Sequence, residues 1–253
     1  MIHLKNENDV AILRMDDGKL NLIDTKLLDE LVQRLQEAED SDARAVVLTG
    51  TGGAFSAGVD LFKVVKGGKD YLDEFLPKLS AGLLKLFTFP KPVVAAINGH
   101  AIAGGCLLAW ACDHTIMATG SGRMGVVELA VGVPFPSLPL EIVRFVVPTQ
   151  YFQEVVYTGA TYEADAARQK GLLNEIVEPE KLPERALAIA SRFAAIPPAS
   201  FAATKRLMRR PALDRYERFR NTLDKETDKI WAAPATLDVI QAYLEKTVGK
   251  TKS

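Results

Sequence analysis

Cysteine is nearly absent from this chain: there are two in 253 residues, Cys106 and Cys112, both within one apolar segment. That excludes a disulfide-stapled scaffold and fits thiols kept reduced in a cytoplasmic compartment. Histidine is as scarce, with three. No His, Cys, Asp and Glu fall at metal-ligand spacing, so no metal site is expected. No apolar run approaches the ~20 residues that span a bilayer. The opening residues, Met1-Ile2-His3-Leu4-Lys5, hold neither an apolar leader core nor an Arg-rich amphipathic one. An excess of one charge is missing too: 31 Lys and Arg stand against 32 Asp and Glu, with pI near 6.3. Neither nucleic acid nor a membrane is therefore an expected partner. The glycine-rich phosphate loop ending in Gly-Lys-Ser/Thr and the Gly-x-Ser-x-Gly elbow of serine hydrolases are both absent. What remains is long enough for one α/β domain with a helical appendage, or for two small domains.

The apolar pattern supplies the elements. Val10 to Met15 reads as a strand, and Asp16-Asp17-Gly18 as a turn. Asp24 caps a helix whose Leu27, Leu28, Leu31 and Leu35 form one stripe. Ala45 to Thr49 is a second strand, so this β–α–β order implies a parallel pair with a right-handed crossover. Gly50 to Gly58 reads as a loop, Val64 to Lys69 as a mobile charged stretch, and Leu72 to Phe87 as a helix. Pro92 to Ile97 reads as a buried strand and Leu107 to Cys112 as the first turns of a helix. His114 to Ala118 is a short strand, with Met124 to Val127 pairing beside it. Gly132 to Pro136 is a rigid loop, after which Ser137 caps a helix to Val147. Helices follow from Pro148, over Ala164–Lys170, Pro183–Ala195, Pro198–Met208, Leu213–Trp231 and Thr236–Thr247.

Three stretches carry chemistry. In His100-Ala101-Ile102-Ala103-Gly104-Gly105-Cys106-Leu107 a strand breaks into small residues and restarts as a helix. Such a turn exposes unpaired N–H groups and lets a ligand approach the backbone, which suits negative charge developing on oxygen. One glycine turn alone would serve packing, but Ala54-Phe55-Ser56-Ala57-Gly58-Val59-Asp60 supplies another turn of the same kind. A dinucleotide fingerprint does not account for that stretch, because Phe55 stands where the third glycine belongs. Two strand-to-helix turns in one parallel sheet can aim their amides at one oxygen. The third stretch is Glu128, alone among apolar residues and glycines from Gly125 to Gly132. Burial would raise its proton affinity and suit it to act as a general base. His100 has no acid or nucleophile spaced to serve it and reads as a structural hydrogen-bonding group. Lys205-Arg206 and Arg209-Arg210 read as a solvated basic face that could meet phosphates.

In this order and spacing the three motifs resemble the crotonase family, the enoyl-CoA hydratase/isomerase superfamily. The resemblance runs from Lys19-Leu20-Asn21 to the C-terminal helices. It implies an α/β fold, a crotonase-like spiral of ββα units over residues 1–195, with a helical trimerisation region over 196–253. It also implies a homotrimer or a hexamer built as a dimer of trimers. The ligand would be an acyl-CoA thioester, with no separate cofactor because coenzyme A arrives with the substrate. The amides of Ala57 and Gly104 would be the oxyanion donors. Leu20, Ala54, Ala57 and Asp60 would line the coenzyme A arm, with Tyr243 and Lys246 reaching a coenzyme A held by another subunit. Leu107, Pro134 and Phe135 would border the acyl pocket.

Leu107 is the informative departure. Hydratases of the family carry a glutamate there and add water between two acids; here only Glu128 remains, as in the family's enoyl-CoA isomerases. The expected activity is therefore transfer of a β,γ double bond to the α,β position, with Glu128 as single acid/base. A hydratase, lyase or hydrolase that recruits His100, Asp60 or Glu141 stays open, as does an acyl-CoA-binding protein without activity.

Overall fold

The computed structural model describes residues 1–249; the last four of the expected helical region lie outside the described residues. Strands β1 (Ile2–Glu7) and β2 (Val10–Met15) form an antiparallel hairpin, and α1 (Thr25–Asp40) crosses to β3 (Ala45–Gly50), parallel to β2. From β3 a strand–strand–helix unit repeats three times. Its copies are β3, β4 (Ala54–Ser56) and α2 (Leu61–Phe87); then β5 (Val93–Ile97), β6 (His100–Ile102) and α3 (Gly104–Ala111); then β7 (His114–Ala118), β8 (Arg123–Gly125) and α4 (Glu128–Val131). The first strand of each unit joins one sheet, the second another, so the units stack as the expected ββα spiral. Next come α5 (Ser137–Val146), α6 (Thr149–Thr158), β9 (Tyr162–Glu163), α7 (Ala164–Gln169) and β10 (Glu175–Val177). The chain continues through α8 (Leu182–Ala194), α9 (Pro198–Phe219), α10 (Leu223–Trp231) and α11 (Pro234–Gly249). None of the described helices is by itself long and apolar enough to cross a membrane.

The larger sheet runs β1-β2-β3-β5-β7-β10 and is covered on both faces. Period-2 alternation divides its side chains. Val46, Leu48, Val93, Ala95 and Ile97 join the main core with α1, α2 and α3, while Ala45, Val47, Val94 and Ala96 pack under Leu182, Ala186 and Ile189 of α8. Double coverage explains why these strands read as unbroken apolar runs.

Four expectations require correction, and one strand had no expectation. Val64–Lys69 is not a mobile stretch: α2 begins at Leu61, capped by Asp60, and is split into two helical segments by a kink at Gly68 (φ 53°, ψ −138°). Val64 and Leu72, on either side of the kink, are both buried, so packing holds both segments on the core although Gly68 breaks the helix. Gly50–Gly58 is not all loop, because β4 pairs with β6 inside it. The opening stretch, assigned no element from its sequence, supplies β1, where Ile2-His3-Leu4-Lys5 alternate apolar and polar and pair with β2. Ser137 does not cap α5 through its own side chain; it is the first helical residue. Its amide and hydroxyl both donate to Asp224 of α10, at 2.7 and 2.6 Å. Finally, α9 is a single helix through Pro211.

That helix also carries the basic run, and only part of it is a solvated face. Lys205 and Arg209 are buried around Asp113. Arg209 donates to the carbonyls of Phe87, Ala111 and Cys112, so it satisfies the C-terminal ends of both α2 and α3. Lys205 donates to Asp113 at 2.7 Å, and burial lowers its pKa to about 8. Lys205→Met is expected to change unfolding free energy by less than about 1 kcal/mol, since Arg209 and the Val93 amide still satisfy Asp113. Urea denaturation checks this, and a loss above about 3 kcal/mol would make Lys205 indispensable to the network.

Candidate active site

Strands β4, β6 and β8 lie side by side and parallel. Each leads into a helix, so the three junctions emerge at one edge of the small sheet. They bring Val59, Gly104 and Glu128 to the wall of a single cavity of about 80 Å³.

The first junction is set by Gly58. Its φ of +91° suits glycine, and a Cβ there would lie 2.7 Å from the Ile102 carbonyl oxygen and 3.4 Å from the Gly104 amide nitrogen. In a regular strand, amides two residues apart face the same side; the left-handed step at Gly58 breaks that alternation. The Ala57 amide turns back to donate to the Leu20 carbonyl at 2.9 Å. Ile23 then pairs across Val59, taking the Gly58 carbonyl and the Asp60 amide at 2.8 and 2.9 Å. The Val59 amide therefore faces away from Ile23, and among the described residues it makes no hydrogen bond. Ala57 lines the cavity, but its N–H is engaged and cannot be the expected oxyanion donor.

The second junction starts α3. Ala103 sits at φ +49°, a cost accepted by few non-glycine residues, and passes the chain into the helix with the Gly104 amide unpaired among the described residues. Gly105 is pressed against β4, where a Cβ would be 2.2 Å from the Ser56 carbonyl oxygen. The two junctions are thus in direct backbone contact, and Val59 and Gly104 supply neighbouring free amides.

The third junction presents Glu128 at the start of α4, 7% exposed. Its Oε2 is buried without a hydrogen-bond partner. Burial pushes its pKa up to about 7, opposed by its own backbone amide and that of Val127. Leu107 faces the same cavity, so apolar surface borders the carboxylate where a second acid would have stood.

Of the other expected residues, Phe135 and Tyr243 line the cavity of their own chain. Pro134 stands behind the wall, its carbonyl accepting the Trp231 indole N–H at 3.0 Å. Leu20, Ala54, Asp60 and Lys246 do not line the cavity. Ala54 is fully buried and its carbonyl is held by Asn21 and Asn98, so it offers no surface to coenzyme A. Asp60 caps α2 and lies near Lys63, Leu20 is half-exposed, and Lys246 is on the exposed side of α11. The alternative acids are elsewhere: His100 Nδ1 accepts the Arg123 amide, and Glu141 is clamped by Arg144 and Arg215. Val59 and Trp231 are the residues sequence reasoning missed. The left-handed glycine beside Val59 could have flagged the first; nothing local marked the second.

A family model described as enoyl-CoA hydratase/isomerase matches residues 5–251. A Thermus thermophilus protein provisionally named an enoyl-CoA hydratase is 35% identical over 82% of this chain and 83% of its own. Carnitinyl-CoA dehydratase of Salmonella typhi is 30% identical over 97% and 95% of the two chains. The structure of human mitochondrial delta3-delta2-enoyl-CoA isomerase superposes with a TM-score of 0.94 at 25% identity, covering 98% of each chain.

Proposed function

The chain belongs to the enoyl-CoA hydratase/isomerase family, and within it we propose an enoyl-CoA isomerase that moves a β,γ double bond to the α,β position. The observation that carries this reading is one buried carboxylate, Glu128, in a cavity where Leu107 and other apolar side chains offer no second acid.

The Val59 and Gly104 amides polarise the thioester carbonyl and acidify the α-carbon. Glu128 takes the α-proton, and the C–H electron pair becomes part of a dienolate whose oxygen the two amides hold. The same carboxyl group returns the proton at the γ-carbon, leaving the double bond conjugated with the thioester. No redox partner is needed, and coenzyme A enters with the substrate. Hydration requires a base to take a proton from water as it attacks the β-carbon and an acid to deliver a proton to the α-carbon; His100, Asp60 and Glu141 all lie outside the cavity wall, which weighs against a recruited second acid. A homotrimer is the assembly this reading carries with it.

The test is conversion of but-3-enoyl-CoA to but-2-enoyl-CoA, followed by absorbance of the conjugated thioester, beside hydration of crotonyl-CoA. Faster hydration than isomerisation defeats the proposal. Glu128 acts only when ionised, so kcat/KM should rise about tenfold per pH unit below about 7 and level off above it. A profile flat from pH 5 to 8 would remove Glu128 from the role of base.

A further inference from the structure

From the size of the cavity we infer that the site takes a short acyl group of about four carbons, with Trp231 as a wall that sets the limit. This rests on the reading above, in which the thioester oxygen sits at Val59 and Gly104. The cavity that must hold the rest of the acyl group measures about 80 Å³. An apolar cavity of about 150 Å³ accommodates benzene, with six carbons, so this one has room for about half as many before its walls must move. Leu107, Val131, Val133, Phe135 and Trp231 are among those walls, all apolar toward the space except for the indole N–H, which is already bound.

The wall is held in place. Trp231, 3% exposed at the end of α10, donates its indole N–H to the Pro134 carbonyl at 3.0 Å. Swinging the ring aside would leave both groups unpaired.

Binding of butyryl-, hexanoyl- and decanoyl-CoA, measured by calorimetry on the wild type and on Trp231→Ala, tests the inference. In an open tunnel each further buried methylene would tighten binding about fourfold. The wild type is expected to stop gaining affinity by hexanoyl-CoA and to bind decanoyl-CoA no tighter than butyryl-CoA. Trp231→Ala is expected to keep gaining through decanoyl-CoA. A steady rise in the wild type overturns the length limit, and an unchanged plateau in the variant removes Trp231 from the role of wall. Should the variant not fold, the wild-type series decides the limit and Val131→Ala, trimming another wall residue, reads the shift. These ligands are saturated, so the result does not depend on turnover. Failure to isomerise any 3-enoyl-CoA would defeat the isomerase reading separately.

Discussion

Glu128→Gln lowers isomerisation of 3-enoyl-CoA by at least about a thousandfold while acyl-CoA binding persists. The amide keeps the shape of the carboxylate and loses its basicity, so only proton transfer is removed. Among the described residues no other carboxylate lines the cavity to take over. Steady-state kinetics with a binding titration separates the two effects, and near-wild-type turnover would end the single-acid mechanism. Stability should change in the opposite sense. Glu128 has its pKa raised from 4.5 to about 7 by burial. Between those values the folded protein keeps a proton that the unfolded chain has released, so stability falls as pH rises through that window and is flat above about 7. The full shift corresponds to about 3 kcal/mol. Glutamine cannot ionise, so the variant lacks this slope and is expected to be at least as stable as the wild type at pH 8. Melting temperatures from pH 4.5 to 8 check the sign. A variant markedly less stable than the wild type at pH 8 would mean that the carboxylate is paired in a way the geometry does not provide.

Gly58→Ala should reduce kcat by about a hundred- to thousandfold, the range for loss of one oxyanion donor. The new methyl would sit 2.7 Å from the Ile102 carbonyl and 3.4 Å from the Gly104 nitrogen, driving the two junctions apart. The positive φ adds about 1–2 kcal/mol of backbone strain. Gly53→Ala is the matched control, since a Cβ there meets nothing within 4 Å and its φ is outside the left-handed region. Melting curves establish that the variant is folded at the assay temperature. If folded Gly58→Ala kept kcat within about threefold of the control, the two amides could not be the oxyanion site.

Much of the site is local chemistry and could be read from the residues. A strand that breaks into glycines and restarts as a helix leaves unpaired amides wherever it occurs, and Glu128 stands out because its neighbours are apolar. The Leu27-to-Leu35 stripe and the apolar runs of β3 and β5 announced their elements for the same reason: each buries a periodic face. Lys205 and Arg209 misled because charge at helical spacing looks identical whether it faces water or a buried Asp113.

The sequence by itself determined the three motifs and the solitary acid, because each depends on neighbours a few residues apart; the ββα order was implied only by the family resemblance those motifs carry. Only the tertiary structure decided which amide is free: Leu20 claims the Ala57 N–H, and the turn at Gly58 leaves the one on Val59 unpaired. It likewise decided that Trp231 and Tyr243 line the cavity of their own chain. A hydrogen bond or a wall needs its second partner, and here that partner comes from a distant segment whose position follows from packing the whole core.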